Sequence, residues 1–71
     1  MSDHKWSFDE RDDTWKTGTE FRGAGVFLDK KGWTANVIVG DTGVMLDYYN
    51  ECDDAMKAAE EELERLIKEI E

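Results

Sequence analysis

The C-terminal stretch "CDDAMKAAEEELERLIKEIE", residues 52–71, decides the fold. Its apolar residues recur every three or four positions, and on a helical wheel they fill one stripe about 120° wide. That stripe comprises Cys52, Ala55, Met56, Ala59, Leu63, Leu66, Ile67 and Ile70. The spacing predicts an amphipathic α-helix over residues 51–71, and such a helix needs a partner element for its apolar side.

The start of this helix carries its own signals. Asn50 is a residue type that caps helices, and Asp53 would then occupy the third helical position. Acidic residues at 51, 53 and 54 suit the positive end of the helix dipole. We therefore expect Asn50 to be the N-cap.

The residues before the helix alternate as strands do. "WTANVIV", 33–39, is the clearest strand, with "FRGAGVFL", 21–28, and "VMLDYYN", 44–50, on either side. "DKKG", 29–32, and "GDTG", 40–43, predict tight turns between them. One face of the central strand is apolar and is expected to pack on the helix: Trp33, Ala35, Val37 and Val39. Ile38 is then expected to point away from the helix.

The first twenty residues are less regular. Trp6 and Phe8 alternate like a short strand, "DERDD", 9–13, predicts an exposed acidic turn, and Trp15 begins another extended segment. The chain is therefore predicted to be an α+β domain, a three- to four-stranded antiparallel β-meander packed on one C-terminal amphipathic helix (β-β-β-α). We divide this single domain into an N-terminal extended segment, 1–20, a sheet, 21–50, and a helix, 51–71.

Length and composition limit the function classes. With 71 residues the core is small, so help from a partner or a second copy is plausible. Cys52 is the only cysteine, which excludes an internal disulfide. No secretion signal or stretch of about 20 apolar residues is present, so we expect no membrane association and a cytoplasmic location, in the host cell if the protein is viral.

The net charge of −9 is concentrated near the C-terminus. Residues 1–46 hold 8 acids and 6 bases, a net of −2, whereas residues 47–71 hold 10 acids and 3 bases, a net of −7. This sign disfavours direct binding to nucleic acid, which needs clustered Lys and Arg. It favours the basic surface of a host protein or nucleoprotein complex, although such charge also keeps small proteins soluble.

None of the motifs in the sequence that are associated with catalysis or metal binding has the residues that its chemistry needs. "DTG", 41–43, occurs in aspartic proteases, but it follows Gly40 in a chain too short for that fold, so a hairpin turn is expected. His4 is the only histidine and has no second ligand nearby, and Cys52 lies on the apolar helix stripe without a base. "GAG", 23–25, lacks a phosphate-loop sequence and instead admits a close backbone or a large aromatic group. No catalytic residue, metal or cofactor is predicted.

Two sets of residues are candidate contact surfaces. The acidic set is expected to meet the partner: Asp9, Glu10, Asp12, Asp13, Asp53, Asp54, Glu60, Glu62, Glu64 and Glu69. Along the helix the acids recur about every 3.5 Å, close to the phosphate spacing of about 3.4 Å in one nucleic-acid strand. The plainer alternative is a solvated face, because three bases each follow an acid by four residues: Lys57 after Asp53, Arg65 after Glu61 and Lys68 after Glu64.

The second candidate surface is the sheet face away from the helix. It is expected to hold a set of apolar groups that could form an interface: Phe21, Phe27, Ile38, Met45 and Tyr49. Either the N-terminal segment covers them, or a second copy of the chain does, giving a homodimer.

The stretch 32–66 resembles small three-strand-plus-helix modules with a "G-W-x-A-x-V" strand and a helix that opens in "D/E-D/E-A-x-x-x-A-E". These include the arm-type DNA-binding modules of phage integrases and the HicB-like antitoxin half-fold. The integrase modules imply DNA contact through basic residues on the open sheet face, where this chain has only Arg22, Lys30 and Lys31. DNA binding is therefore not carried over.

In general character the chain is similar to the small acidic proteins that phages make against host machinery, such as anti-CRISPR and anti-restriction proteins. We therefore predict a non-enzymatic, acidic protein-binding inhibitor that partly mimics nucleic acid and blocks a nucleic-acid-handling host complex. The alternative is a structural or oligomerisation module, or a HicB-like antitoxin partner, whose charge serves only solubility.

Overall fold

The computed structural model describes residues 5–19 and 21–70, apart from the side chain of residue 70. Five antiparallel strands form one open sheet in chain order, and a helix follows: β1 (Ser7–Asp9), β2 (Thr14–Gly18), β3 (Arg22–Asp29), β4 (Gly32–Val39), β5 (Thr42–Met45) and α1 (Cys52–Ile70). The predicted α+β class, with an antiparallel meander and a C-terminal helix, is confirmed. The predicted count of three to four strands is too low, because the sheet has five.

The strands that the sequence did not define clearly are β1 and β2. They form a hairpin that extends the sheet beyond β3, with Phe8 opposite Trp15 and their ring centroids 5.1 Å apart. The turn between them is acidic, and Asp13 adopts a left-handed backbone with φ 55. A three-residue strand that ends in Asp9 and is followed by Glu10 has little β propensity of its own, so cross-strand pairing has to supply its stability.

Glycine is required where β2 turns into β3. Gly18 has φ +81, and a Cβ added there would overlap the carbonyl oxygen of Arg22. A Cβ on Gly23 would lie 2.5 Å from the carbonyl oxygens of both Thr17 and Thr19. The turn is closed by the Thr19 amide, which donates to the Arg22 oxygen at 2.9 Å. Only glycine tolerates this backbone and this close approach.

The last strand is shorter than predicted because the chain bulges. The Leu46 amide donates to the Ala35 oxygen at 2.9 Å, but the next bridge joins Trp33 to Tyr49 through bonds of 2.8 and 2.7 Å. Between these two contacts β4 spans two residues, from Ala35 to Trp33, whereas the opposite segment spans three, from Leu46 to Tyr49. One extra residue is therefore accommodated at 47–48. Such a bulge kinks a strand and reverses which side chains face each side of the sheet.

The core lies between α1 and the two central strands, β3 and β4. Its buried apolar residues are Ala24, Val26, Ala35, Val37, Val39, Ala55, Ala59, Leu63 and Leu66. The predicted inward face of β4 is confirmed for Ala35, Val37 and Val39, and Trp33 packs half-buried against the same core. Four of the nine buried residues are alanines, so each contributes little apolar area and the larger leucines carry much of the burial.

The helix begins one residue later than predicted. The Ala55 amide donates to the Glu51 oxygen at 3.2 Å, which makes Glu51, rather than Asn50, the N-cap. Asp53 and Asp54 still lie in the first turn, where the helix dipole favours carboxylates. The predicted helix is otherwise confirmed over Cys52–Ile70.

Leu63→Ala should destabilise the protein by about 2–5 kcal/mol, because it leaves a cavity in a core with few large side chains. Leu63 is only 2% exposed. Leu28→Ala makes the same chemical change at a residue that is 63% exposed and should cost about 0.5 kcal/mol or less. Urea unfolding of both variants measures the difference. Equal losses would contradict the assigned core.

Candidate protein-interaction surfaces

The outer face of α1, the side turned away from the sheet, is rich in carboxylates. Its exposed residues are Asp53, Asp54, Lys57, Glu61, Glu64, Arg65, Lys68 and Glu69. Glu60 and Glu62 of the predicted acidic set lie beside them but are half-buried. Five acids therefore face solvent against three bases, and the face is anionic.

Arg65 neutralises part of the C-terminal half of this face. Its guanidinium donates to Glu62 and, at 2.7 Å, to Glu69. The hydrogen bond with Glu62 is the main reason that the pKa of Arg65 is raised. The sequence predicted an ion pair between Arg65 and Glu61. That prediction is wrong, because the guanidinium instead contacts Glu62 on the preceding helical turn and Glu69 on the following one. The uncompensated carboxylates consequently concentrate towards the N-terminal half of α1.

Glu60 is held by a contact that sequence reasoning missed. The indole Nε1 of Trp6 donates to its carboxylate at 2.8 Å and ties the residue before β1 to the middle of α1. The two residues are 54 positions apart. No local pattern indicates such a pair, although a tryptophan packed against the core needs an acceptor for its N–H. The Glu60 carboxylate therefore already has an internal role.

The acidic turn of the β1–β2 hairpin is largely neutralised from within. Asp9 accepts hydrogen bonds from Arg11 and, at 3.2 Å, from the Lys16 ammonium group, which also donates to Asp12 at 2.5 Å. The bonds from Arg11, followed by that from Lys16, lower the pKa of Asp9 to about 2. Two of the four predicted hairpin acids are thus paired, and Glu10 and Asp13 are the exposed remainder.

The fold brings the hairpin turn to the same end of the molecule as the start of α1. Asp9 is opposite Thr14, Thr14 is opposite Phe27, and Phe27 is opposite Thr34, one residue from the Trp33–Tyr49 bridge that leads into the helix. The hairpin strand β1 lies three strand spacings from β4, about 14 Å. The exposed acids of the turn and those of the first helical turn therefore share one end of the sheet.

The opposite side of the sheet, here called the open face, is built around glycine. Strand alternation directs five glycines to it, together with Lys16, Phe27, Asn36, Ile38 and Met45: Gly18, Gly23, Gly25, Gly32 and Gly43. A groove of about 620 Å³ lies there, lined in part by Gly23 and Gly25 and by the side chains of Phe27 and Ile38. The surface of this face is therefore uneven, because the glycines form a depression and the Phe27 and Ile38 side chains project beside it.

The predicted apolar interface divides between two locations. Ile38 is 39% exposed and Met45 is 63% exposed on the open face, Phe27 is half-buried there, and Phe21, 71% exposed, precedes β3. Tyr49 instead packs against the buried core, because the bulge reverses the alternation after Met45. Its neighbour Tyr48 reaches Asp29 through a hydrogen bond of 3.1 Å, which is the main cause of its raised pKa.

The N-terminal residues that the structure describes do not cover the open face. Trp6 and Trp15 pack against the same core as the helix, and β1 and β2 extend the sheet sideways. The sequence suggested that either the N-terminal segment or a second copy covers the open face. The described part of the N-terminal segment does not cover it.

Chemically reactive groups are sparse in the part of the chain that the structure describes. Burial, and then the charge of Asp53, raise the pKa of the half-buried Cys52 thiol, which disfavours the nucleophilic thiolate. Of the "DTG" stretch only Asp41 lies in the hairpin turn, which is formed by residues 40–41 with φ 60 at Gly40, whereas Thr42 and Gly43 belong to β5. The turn predicted over 40–43 is therefore shorter than expected. Across residues 5–19 and 21–70 no group of three or more potential metal ligands occurs, and His4 lies outside those residues.

None of the helices in these ranges is long and apolar enough to cross a bilayer. Comparison with protein-family models, with curated proteins and with solved structures gives no match. The resemblance to integrase and HicB-like modules therefore stays a prediction.

Arg11→Gln should raise the pKa of Asp9 from about 2 towards its ordinary value of 3.8, because the largest stabilising contact of the carboxylate is lost. A carboxylate with a depressed pKa stabilises the fold fully above pH 3.8, and this contribution disappears as the pH falls towards 2. Carboxyl carbon chemical shifts followed by NMR measure the titration. Lys30→Gln, in the β3–β4 turn, is the matched control and should leave the Asp9 titration unchanged.

Proposed function

We propose that this chain is a non-enzymatic protein-binding module that engages a basic surface of a nucleic-acid-handling protein or nucleoprotein complex through the outer face of α1. The supporting observation is the group of exposed carboxylates on that face that have no internal cation. Within residues 5–19 and 21–70, Asp53, Asp54 and Glu61 form no ion pair. These three carboxylates are therefore available to pair with cations of a partner.

The strength of such binding depends on several contacts acting together. An exposed ion pair contributes only about 0.2–1 kcal/mol, so no single carboxylate of α1 can carry the affinity. A patch of one sign nevertheless accelerates encounter with an oppositely charged surface and makes that encounter sensitive to salt. The module should therefore bind through a group of acids, with Glu10 and Asp13 at the same end of the sheet contributing at the margin.

A finer version of the proposal is inhibition by partial mimicry of nucleic acid, of the anti-CRISPR or anti-restriction type. Seven acids lie within Cys52–Ile70, which extends about 28 Å at 1.5 Å per residue. Three of them already have a partner within the chain, Glu60 with Trp6 and Glu62 and Glu69 with Arg65, and a nucleic-acid-binding partner would have to compete for these three. The average of one carboxylate per about 4 Å is close to the phosphate spacing of about 3.4 Å in a single strand and far from about 1.7 Å in a duplex. A single-stranded or guide-strand channel would fit this spacing better than a duplex-binding cleft.

The triple variant Asp53→Asn, Asp54→Asn and Glu61→Gln tests the proposal. Affinity capture from an extract of the encoding host identifies the partner, and calorimetry then measures the affinity of the purified pair. We expect the variant to bind about tenfold more weakly at low salt, because three exposed carboxylates are lost from the binding surface. Its affinity should also depend less steeply on salt concentration. Single-stranded nucleic acid should compete with the wild-type chain for the partner.

A control triple removes the same number of charges elsewhere: Glu10→Gln, Asp13→Asn and Asp41→Asn. It should weaken binding much less, since only the margin of the proposed surface changes. If both triples weaken binding equally, net charge and not the helix face is responsible. If neither does, the acidic surface is not the binding site.

One observation favours the alternative, a structural module whose charge serves only solubility. The Glu62–Arg65–Glu69 group is the kind of i,i+3 and i,i+4 pairing that decorates solvated helices. Under that alternative, the helix triple should lower solubility at pH 7, because it reduces the net charge from −9 to −6, and no basic partner should be captured.

A further inference from the structure

We infer that the open face is the interface of a symmetric homodimer, in which two sheets stack and the two α1 helices lie on the outside. The inference is independent of the basic partner proposed above, because it uses the opposite side of the sheet. Four features of the structure carry it: the relief of the face, its size, the position of the charges and the composition of the core.

The relief of the open face suits a second copy of itself. A two-fold interface brings the same patch together twice, so each copy must present both a projection and a recess. The recess is the groove over Gly23 and Gly25, and the projections are Phe27 and Ile38, which line it. Flat or uniformly convex faces lack this property. A neighbouring copy can place an apolar side chain over the glycine backbone and receive one in return.

The polar groups of the face do not forbid stacking. On its β1 side the Lys16 ammonium group is already paired with Asp9 and Asp12, so a covering layer meets a compensated group and not an isolated charge. Towards β5 the exposed side chain is Met45, at 63%. Met adapts readily to an irregular neighbouring surface. Asp29, at the end of β3, also lies on this face by strand alternation, and its carboxylate accepts a hydrogen bond from the Tyr48 hydroxyl.

The size of the face is comparable with that of a modest interface. Five strands spaced about 4.8 Å apart, the longest with eight residues, give at most about 24 by 26 Å, or roughly 600 Å² before side-chain relief is added. Typical specific interfaces bury about 800 Å² per partner. The open face is thus large enough for a weak to moderate dimer if most of it is covered.

The charge distribution selects this face over the helix. Two chains of net charge −9 repel, and a dimer through α1 would bring the anionic helices to about 8–10 Å. In a dimer through the open face, three successive layer spacings of about 10 Å separate the two helices by about 30 Å. That distance is more than three Debye lengths of about 8 Å at physiological salt, so the repulsion is screened.

The small core gives the chain a reason to stack. Four of nine buried residues are alanines, and three larger side chains on or beside the other face stay exposed: Phe21, Ile38 and Met45. Burial of those side chains adds apolar area that the monomer does not use. The dimer is thus expected to be more stable to unfolding than the monomer, and its stability should rise with concentration.

Met45→Lys and Leu28→Lys form a matched pair of tests. Both residues are 63% exposed, and both changes add the same charge, but Met45 lies on the open face and Leu28 has the opposite strand alternation. Sedimentation equilibrium of the wild-type chain should show a mass approaching twice 8.2 kDa at the highest concentrations. Met45→Lys should raise the dimer dissociation constant about tenfold or more, and Leu28→Lys should change it less than about twofold.

Amide chemical shifts provide a readout that does not depend on any variant. On dilution of the wild-type chain, shifts should move at Gly25, Asn36 and Gly43 of the open face and remain fixed along the outer face of α1. A chain that stays monomeric up to millimolar concentration overturns the inference, as does equal weakening by the two lysine variants. Concentration-dependent shifts confined to α1, or protection of the open face only when another protein is added, overturn it as well.

Discussion

Burial of the α1 stripe on β3 and β4 is the constraint on which the rest of the structure depends. The nine buried apolar residues come from these three elements alone, and the alanines among them allow the helix to lie close to the sheet. Because Leu63 and Leu66 are the largest of them on the helix, its apolar side has no freedom to rotate outward. The bulge after β5 then directs the chain from the sheet edge onto this face.

This packing divides the molecule into two unlike surfaces. One helix covers one face of the sheet, so its polar side becomes the anionic outer face and the other face of the sheet stays open. The alternation of strands sends alanines and valines to the core and sends the glycines, with Phe27, Ile38 and Met45, to the open side. The two proposed interactions, with a basic partner and with a second copy, are therefore compatible, because the two surfaces lie on opposite sides of the sheet.

The sequence is most informative where structure is local. The period of the helix and the alternation of β4 come from neighbouring residues, and the described side chains of both predicted faces are buried or half-buried. The side chain of Ile70, the last residue of the predicted helix stripe, lies outside the described part of the chain. β1 and β2 were underestimated because their stability comes from pairing across the sheet. The Trp6–Glu60 bond joins residues 54 positions apart, and the position of Tyr49 depends on one extra residue in a strand. Of the acidic surface, the sequence predicts the carboxylates but not which of them are already held by Arg65, Lys16 or Trp6.

Native-state hydrogen exchange tests the central claim most directly, because it reports whether helix and sheet open together. If α1 and β4 bury each other, amides near Leu63 and amides near Val37 should exchange with the same opening free energy, equal to that of global unfolding. If the helix amides exchange with a much lower opening free energy while those of the sheet stay protected, α1 is not fixed on the sheet. The division into two surfaces would then have no structural basis.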